Sequence, residues 1–459
     1  MATNETPQWA NQVAQACLTQ FQSLPKKGKP TMREGRPSAW TVLAGVVLEN
    51  PEGQFCCVAL GTGLKCLPES RLTTDGNVLH DAHAEVVARR SFLRYLYHQV
   101  QAALDTYIYD QSIFVAQESS VEAPSRRVLK LRNPAYKFHF YTSKIPCGDA
   151  SMDKITQYDL LDAAKLQPNE QGPSDATTKQ DSAHQAALQD IEPVTKKRRI
   201  TNQVNHCLPF CRGRDNPHCL TALRTKPARK DAERTTSMSC SDKLMLWNAV
   251  GIQSALLSFF IEPIFLESVV IGEPFNHDAV AMALGGRLAP LLDDTAPIRL
   301  HKPKLVRATV KFPFQEPVGE DSASVLLSDS AIGWYYGSRE SEVIVNGRRQ
   351  GAVPDKQGKF SLKCRSRLCK RALWEEGFLV IFRPWLQRAK TEGWPRPELF
   401  ESESRRLTYR ETKQLATEYF EAKTWLYTNA CRHWVRAPVS TESFIINDDQ
   451  LWLDYICNV

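Results

Sequence analysis

An α/β fold is predicted by three observations. Short β-rich runs alternate with stretches of helical apolar periodicity. Two of those runs flank a turn and read as a hairpin. A polar loop then passes directly into a long periodic helix that carries a histidine and a glutamate at its mouth, His83-Ala84-Glu85.

Each element follows from its residues. Residues 1–38 read as an N-terminal helix and linker, with Trp9, Val13, Ala16 and Cys17 near helical spacing ahead of a Pro/Lys/Gly stretch. Trp40 to Glu49 and Phe55 to Gly61 form the hairpin across Asn50-Pro51-Glu52-Gly53. The pattern is helical from His83 to about Leu104. A third strand, Tyr136 to Ser143, runs into Ile145-Pro146-Cys147-Gly148-Asp149. From about residue 159 to 205 polar residues dominate and aromatics vanish, which predicts a largely disordered insertion. Helical periodicity returns from Ser239 through Phe260, followed by a strand at Ser268 to Gly272. Further strands are expected at Lys304 to Phe312 and at Glu342 to Val353, the latter folding over Asn346-Gly347. Ser361 to Asp454 reads as mainly helical and rich in Trp and Tyr, and no repeat is visible.

The 459 residues are 42% hydrophobic and 24% charged, as expected for a soluble globular chain able to bury a large core. The net charge of +7 permits an anionic partner without demanding one. Met1 to Gln15 lacks the pattern of a secretory signal, and the most apolar segment, Ser254 to Gly272, is interrupted by Glu262, Pro263 and Glu267. No membrane span is expected, and thirteen cysteines without an export signal read as thiols or metal ligands in an intracellular protein. Lys196-Lys197-Arg198-Arg199 is a candidate nuclear import signal, so nucleus and cytoplasm both stay open.

A His-x-Glu step at a helix start suits a metal-bound water, with the histidine as ligand and the glutamate as proton carrier. Followed by Pro-Cys-x-x-Cys, it is the signature of zinc nucleobase deaminases. Here Pro146-Cys147 is present, but Ala150 stands where the second cysteine belongs. The missing ligand has two candidate sources. One is Cys240, at the mouth of the next periodic helix. The other is the group His206, Cys207, Cys211, His218 and Cys219, which resembles a structural zinc knuckle. Spacing does not choose between them.

A second anomaly is a set of cations on apolar faces. Arg90 shares a stripe with Val86, Leu93, Tyr97 and Val100, and two lysines share one with Tyr409, Ala416, Phe420 and Tyr427 (Lys413 and Lys423). Buried cations are costly unless paired, so an external polyanion and snorkelling side chains are the two available readings.

His83-Ala84-Glu85, Pro146-Cys147-Gly148, Ser239-Cys240-Ser241-Asp242-Lys243 and Ser366-Arg367-Leu368-Cys369-Lys370, in this order, resemble the deaminase domain of the RNA-specific adenosine deaminases. Lys226-Pro227-Ala228-Arg229 and Ser237-Met238-Ser239-Cys240 are similar to the tRNA-specific branch, with Ala228 where a glycine is usual. The resemblance implies a cytidine-deaminase-like mixed sheet core flanked by helices across residues 39–459, with a helical C-terminal elaboration around a buried anion pocket. It implies zinc on His83, Cys147 and Cys240, Glu85 as the catalytic proton carrier, and hydrolysis of adenosine to inosine in tRNA. The adenosine 3′-adjacent to the anticodon of alanine tRNA is the expected target. Inositol hexakisphosphate is implied in the core, on Arg89, Arg90, Lys243, Lys370, Tyr409, Lys413, Tyr419, Lys423 and Trp434. His80, Leu246 and Ala255 depart from that pattern, as do Arg436 and Ala437. No obligate protein partner is expected.

Between Arg212 and Arg234 seven basic residues face three acidic ones, so Arg224, Lys226, Arg229 and Lys230 are expected to grip RNA phosphates. The competing readings are a duplex-RNA adenosine deaminase, a catalytically silent RNA-binding relative, and a structural zinc protein built on the His206 to Cys219 cluster.

Overall fold

A computed structural model describes residues 6–105, 107–116, 129–152, 207–216, 218–227, 231–317, 325–391 and 407–445. The predicted insertion lies outside them. In chain order, α1 is Gln8–Ser23, β1 Leu43–Glu49, β2 Phe55–Thr62, β3 Leu64–Cys66, β4 Asp81–His83 and α2 Ala84–Leu104. Next come β5 Lys137–Thr142, β6 Phe210–Arg212, β7 Leu223–Thr225, α3 Cys240–Val250, α4 Ser254–Leu257, β8 Ser268–Ile271 and β9 Lys304–Arg307. The remainder is β10 Ser330–Tyr335, β11 Glu342–Val345, β12 Arg348–Arg349, α5 Lys370–Leu373, α6 Leu379–Thr391, α7 Tyr409–Gln414 and α8 Thr417–Thr428.

Eight strands form one mixed sheet in the order β9-β8-β5-β1-β2-β10-β11-β12. β5, β8 and β9 run parallel, and every other neighbour pair is antiparallel. Alternation along β1 sends Ala44 and Val46 to one face and Leu43 and Val47 to the other, with an irregularity between Val46 and Val47. The first face packs on Ala84, Ala88, Phe92 and Leu96 of α2 and extends into the helical C-terminal part; the second packs on Val13, Ala14, Cys17 and Phe21 of α1. Both faces are covered, so the strand runs are almost continuously apolar. Among the described residues no helix is long and apolar enough to cross a membrane.

The sheet thus confirms the α/β expectation, with three corrections. The stretch from Ser239 to Phe260 is not one helix: Gly251, at φ +83°, ends α3, and α4 follows as one turn. β10 sits in the sheet where no strand was expected. The stripe from Tyr409 to Tyr427 is broken, because Ala416 leaves helical geometry at ψ 73° and Phe420 is exposed.

Helix α2 lies close on β2 at Gly61, where an added Cβ would stand 2.3 Å from the Ala88 backbone nitrogen and 2.6 Å from the Ala84 carbonyl. That contact seats the helix bearing His83 and Glu85 at its start. Gly61→Ala therefore forces backbone apart, and urea unfolding should show a loss of about 1–3 kcal/mol.

Candidate active site

Three loops meet at one end of the sheet. Strand β4 pairs with β3, setting His83 opposite Leu64, and α2 starts at the next residue. Glu85 lies in the first turn of α2 and is 4% exposed. Cys147 follows β5. Beside it Gly148 adopts φ +102°, and a Cβ there would fall 2.1 Å from Ser239 Oγ, so the two cysteine loops touch. Cys240 opens α3, whose N-cap Ser239 accepts the Asp242 N–H.

This packing brings the ligand atoms of His83, Cys147 and Cys240 within 4.8 Å of one another, a group that could hold a metal ion. His83 Nδ1 lies 3.8 Å from Cys147 Sγ and 3.7 Å from Cys240 Sγ, and the Cys240 N–H donates to Cys147 Sγ at 3.3 Å. Two thiols and an imidazole form a zinc-type donor set that leaves a fourth position open. Among the described residues it is the only such group. Cys207 instead stands 3.8 Å from His433 Nε2, and His206 falls outside the described residues. The structure therefore brings Cys240, not the Cys207 cluster, to His83 and Cys147.

The hydrogen bond from Cys240, assisted by Lys226 and His83, holds the Cys147 thiol well below its usual range, while burial pushes Cys240 up. Burial, and then the charge of Cys147, raises the Glu85 carboxyl. Asp81 anchors the site from behind: it accepts the His83 N–H at 3.1 Å, Lys226 Nζ at 2.7 Å, Ser237 Oγ at 2.6 Å and the Lys243 ammonium. Burial opposes the Asp81 charge, but the two lysines prevail and hold it well below the carboxylate range. For Lys226 burial is likewise outweighed, first by Asp81 and then by Cys240 and Cys147, and its pKa is raised.

Behind the cysteines sits a buried charge quartet. Asp149 and Asp242 each follow a metal-site cysteine by two residues. Arg287 donates to Asp242 Oδ1 and stands 3.8 Å from Asp149 Oδ2. The Arg224 backbone N–H donates to Asp242 Oδ2 at 2.9 Å, and its Nε lies 3.7 Å from Asp149 Oδ1. The Arg224 guanidinium also reaches the carbonyls of Gly213, Asp215, Asn216 and Cys219. Two cations and two anions thus cross-link the Cys147 and Cys240 loops. Sequence reading missed all four roles; the shared cysteine-plus-two spacing of the acids was the available signal.

This overturns part of the RNA expectation. Arg224 is 0% and Lys226 3% exposed, and both serve the interior. Arg229 and Lys230 lie outside the described residues. The cation cluster is assembled more nearly as expected. Arg89 donates to the Ile252 carbonyl at 2.9 Å and Arg90 to that of Leu368. Lys370 Nζ stands 3.3 Å from Glu442 Oε1, and Lys413 binds the other oxygen of that carboxylate. Lys423 lies over Tyr419 and Tyr427, and Trp434 packs on Tyr427. Tyr409 neighbours Lys413. Lys243 differs, being held on Asp81. Glu442, and Arg436 at 4.6 Å from the Tyr427 ring, are members that sequence reading did not assign.

Residues 59–438 match the adenosine-deaminase (editase) domain. The chain belongs to this family. It is an enzyme that deaminates adenosine. It is 28% identical to the human tRNA-specific adenosine deaminase 1, over 95% of this chain and 99% of the relative. The fission-yeast (Schizosaccharomyces pombe) protein of the same name is 30% identical over 77% of this chain and 82% of its own. The double-stranded RNA-specific editase Adar of Drosophila melanogaster is 28% identical over 88% of this chain and 51% of its own.

Arg287→Met in this deaminase would leave Asp242 and Asp149 short of one buried counter-charge. Chemical denaturation should show a loss of about 3–5 kcal/mol, the scale for breaking one side of a buried ion pair.

Proposed function

We propose that this deaminase converts adenosine to inosine in tRNA, using zinc held by His83, Cys147 and Cys240. The observation that carries the reading is the buried Glu85 set in the first turn of the helix that follows the imidazole of the three-ligand group. The donor set fits zinc. When bound there, zinc supplies a water acidic enough to lose a proton near neutral pH. The Glu85 carboxyl, raised by burial, is suited to take that proton and return it to the departing amino nitrogen as C6–O forms and C6–N breaks. The tRNA class is supported by the human relative, whose alignment takes in nearly all of both chains. The adenosine 3′-adjacent to the anticodon of alanine tRNA is the specific target we assign. An anticodon loop already holds its bases unpaired, which lowers the cost of extruding one.

We further propose inositol hexakisphosphate as the occupant of the cation cluster. Arg89, Arg90, Lys370, Lys413 and Lys423 converge with one carboxylate among the described residues, Glu442, and the tyrosines Tyr409 and Tyr419 border them. Burial, then repulsion by Lys413, lowers Lys423 to about 7; burial, against Glu442, lowers Lys370 to about 8. A polyanion would restore both charges, so the residues fit the group.

Inosine formation on alanine tRNA, compared with a long RNA duplex, tests the reading. The expected result is inosine beside the anticodon with the duplex untouched; editing of the duplex alone would reassign the substrate. Glu85→Gln should retain the metal by elemental analysis and lose at least about 10²-fold in turnover. The pH dependence tests the polyanion. Without it, the unfolded chain binds more protons than the folded one between the lowered lysine values and about 10, so stability rises with pH from about 7 upward. With inositol hexakisphosphate bound, the thermal midpoint should be higher at pH 7 and lose that upward slope.

A further inference from the structure

Outside the metal site, the β11–β12 hairpin carries features that neither the fold nor the reaction uses. Residues 348–363 hold five cations (Arg348, Arg349, Lys356, Lys359 and Lys363) against one acid, Asp355. The segment is mostly exposed and includes three apolar side chains open to solvent, Val353, Phe360 and Leu362. A groove of about 330 Å³ runs beneath it, walled by Leu67 and Val78 and rimmed by Arg71, Arg348, Arg349 and Phe360. Within it the Arg348 guanidinium sits 3.9 Å from the centre of the Phe360 ring.

The groove is tied to the active site by the backbone. The Leu79 N–H donates to the Gly347 carbonyl at 2.9 Å, and the Leu67 N–H to the His80 carbonyl at 2.8 Å. Leu64 faces His83 across the β3–β4 pair, so Leu67, three residues on at about 3.3 Å each, lies about 10 Å along the strand from the imidazole ligand. The segment leading to Arg71 is fastened to the other side: the Glu69 N–H donates to the Arg234 carbonyl, on the loop that leads to Cys240.

We infer that this groove takes up an unpaired nucleotide flanking the reacting adenosine of the RNA. The inference rests on the RNA reading above. A guanidinium lying on an aromatic ring offers flat surfaces on which any base can stack, and the remaining arginines and lysines meet the phosphates on either side. The volume suits one nucleotide-sized group. Asp75 and Glu342 are in reach of Arg348 and Arg349 respectively, Glu69 and Glu233 stand beside Arg71, and Asp355 lies on the segment itself. Among the described residues the groove's own lining holds three arginines, Arg71, Arg348 and Arg349, and no carboxylate, and Lys356 and Lys359 are exposed on the same segment. The occupant follows from this pairing of charge with exposed ring.

The test uses the full chain and an alanine tRNA anticodon stem-loop carrying 2-aminopurine at loop positions beside the target adenosine. One of these positions should be quenched on binding to the wild type. Arg348→Ala with Phe360→Ala should remove that quenching and weaken the dissociation constant by about 5- to 100-fold, the range for loss of one stacked base and a cation. Circular dichroism and metal content check that the variant is folded. The single change Arg71→Ala, which leaves the stacking pair in place, should weaken binding and reduce its salt dependence while keeping the quenching. Absence of binding by the wild type, or equal dissociation constants and equal quenching in the folded double variant, would overturn the inference. Binding and quenching as described with no inosine formed would instead fault the proposed reaction and leave the groove standing.

Discussion

Two thiols and an imidazole have to be held within a few ångströms of one another, inside a core that tolerates no unpaired charge, and the rest of the architecture depends on meeting that condition. The sheet does the first part. Parallel β5 and β8, with α2 beside them, deliver the Cys147 loop, the start of α2 and the start of α3 to one end of the fold. Two helix N-termini then point their positive ends at the site, α2 from Ala84 and α3 from Cys240, an arrangement that favours thiolates. The second part is done by carboxylates and cations in pairs. Asp81 pairs with Lys226, and Asp149 and Asp242 with Arg224 and Arg287. Each loop is therefore held by charge as well as by packing, and losing one partner exposes the others to the full cost of burial.

The two buried polar regions differ in their balance, and the difference sets what each needs. The quartet behind the cysteines is neutral as a unit, two arginines against two aspartates, and is closed by backbone carbonyls. Among the described residues the cation cluster between α2, α7 and α8 has one carboxylate for six cations, Arg436 included; burial, then repulsion by Lys413, lowers Lys423, burial lowers Lys370, and Lys413 and Lys370 hold Glu442 at about 2 against its burial. A neutral unit is complete within the chain, whereas a cationic one gains from an anion brought from outside. Asp81 stands between the thiols and the cation cluster: it holds Lys243 and Lys226 and lies within electrostatic reach of Arg90.

Much of this was legible in the residues. The β1–β2 hairpin, α2 and β5 follow from alternation, turn chemistry and periodicity, and their boundaries agree with the expected ones to within a few residues. Of the three grouped side chains, His83 and Cys147 were legible in the His-x-Glu and Pro-Cys steps, whereas spacing left Cys240 level with the His206 to Cys219 cluster and only the resemblance singled it out. The charge pairs were not legible. Arg224 and Lys226 lie in a basic run that reads as a solvated loop, and the groups that draw them inward are distant in sequence: Asp81 is 145 positions from Lys226, and Arg287 is 45 from Asp242. Local pattern carries no trace of such pairings. β10 escaped notice because Ser330–Tyr335 is short and contains Gly333, and its place in the sheet comes from pairing with β2 and β11. The stripe from Tyr409 to Tyr427 was real as a periodicity but false as one helix. Its two lysines still reach the cluster, because α7 and α8 turn about Ala416 without losing the shared face.

Turning those cations inward has a consequence for RNA. A loop with seven basic residues looks able to grip a phosphate backbone, yet Arg224 and Lys226 are buried and Arg212 donates to the Ala232 carbonyl. Of the described members, Arg214 and Arg234 remain exposed. The loop before Cys240 is thus chiefly a structural device that sets Cys240 beside His83 and Cys147, and much of the charge that an RNA requires must come from elsewhere around the mouth. The segment from Arg348 to Lys363 is placed to provide it, because most of its cations are exposed and the Gly347 turn before it is bonded to Leu79, just ahead of the strand that ends at His83. Dividing the work this way lets the interior keep the low dielectric that raises Glu85, while an outer surface meets the polyanion in water.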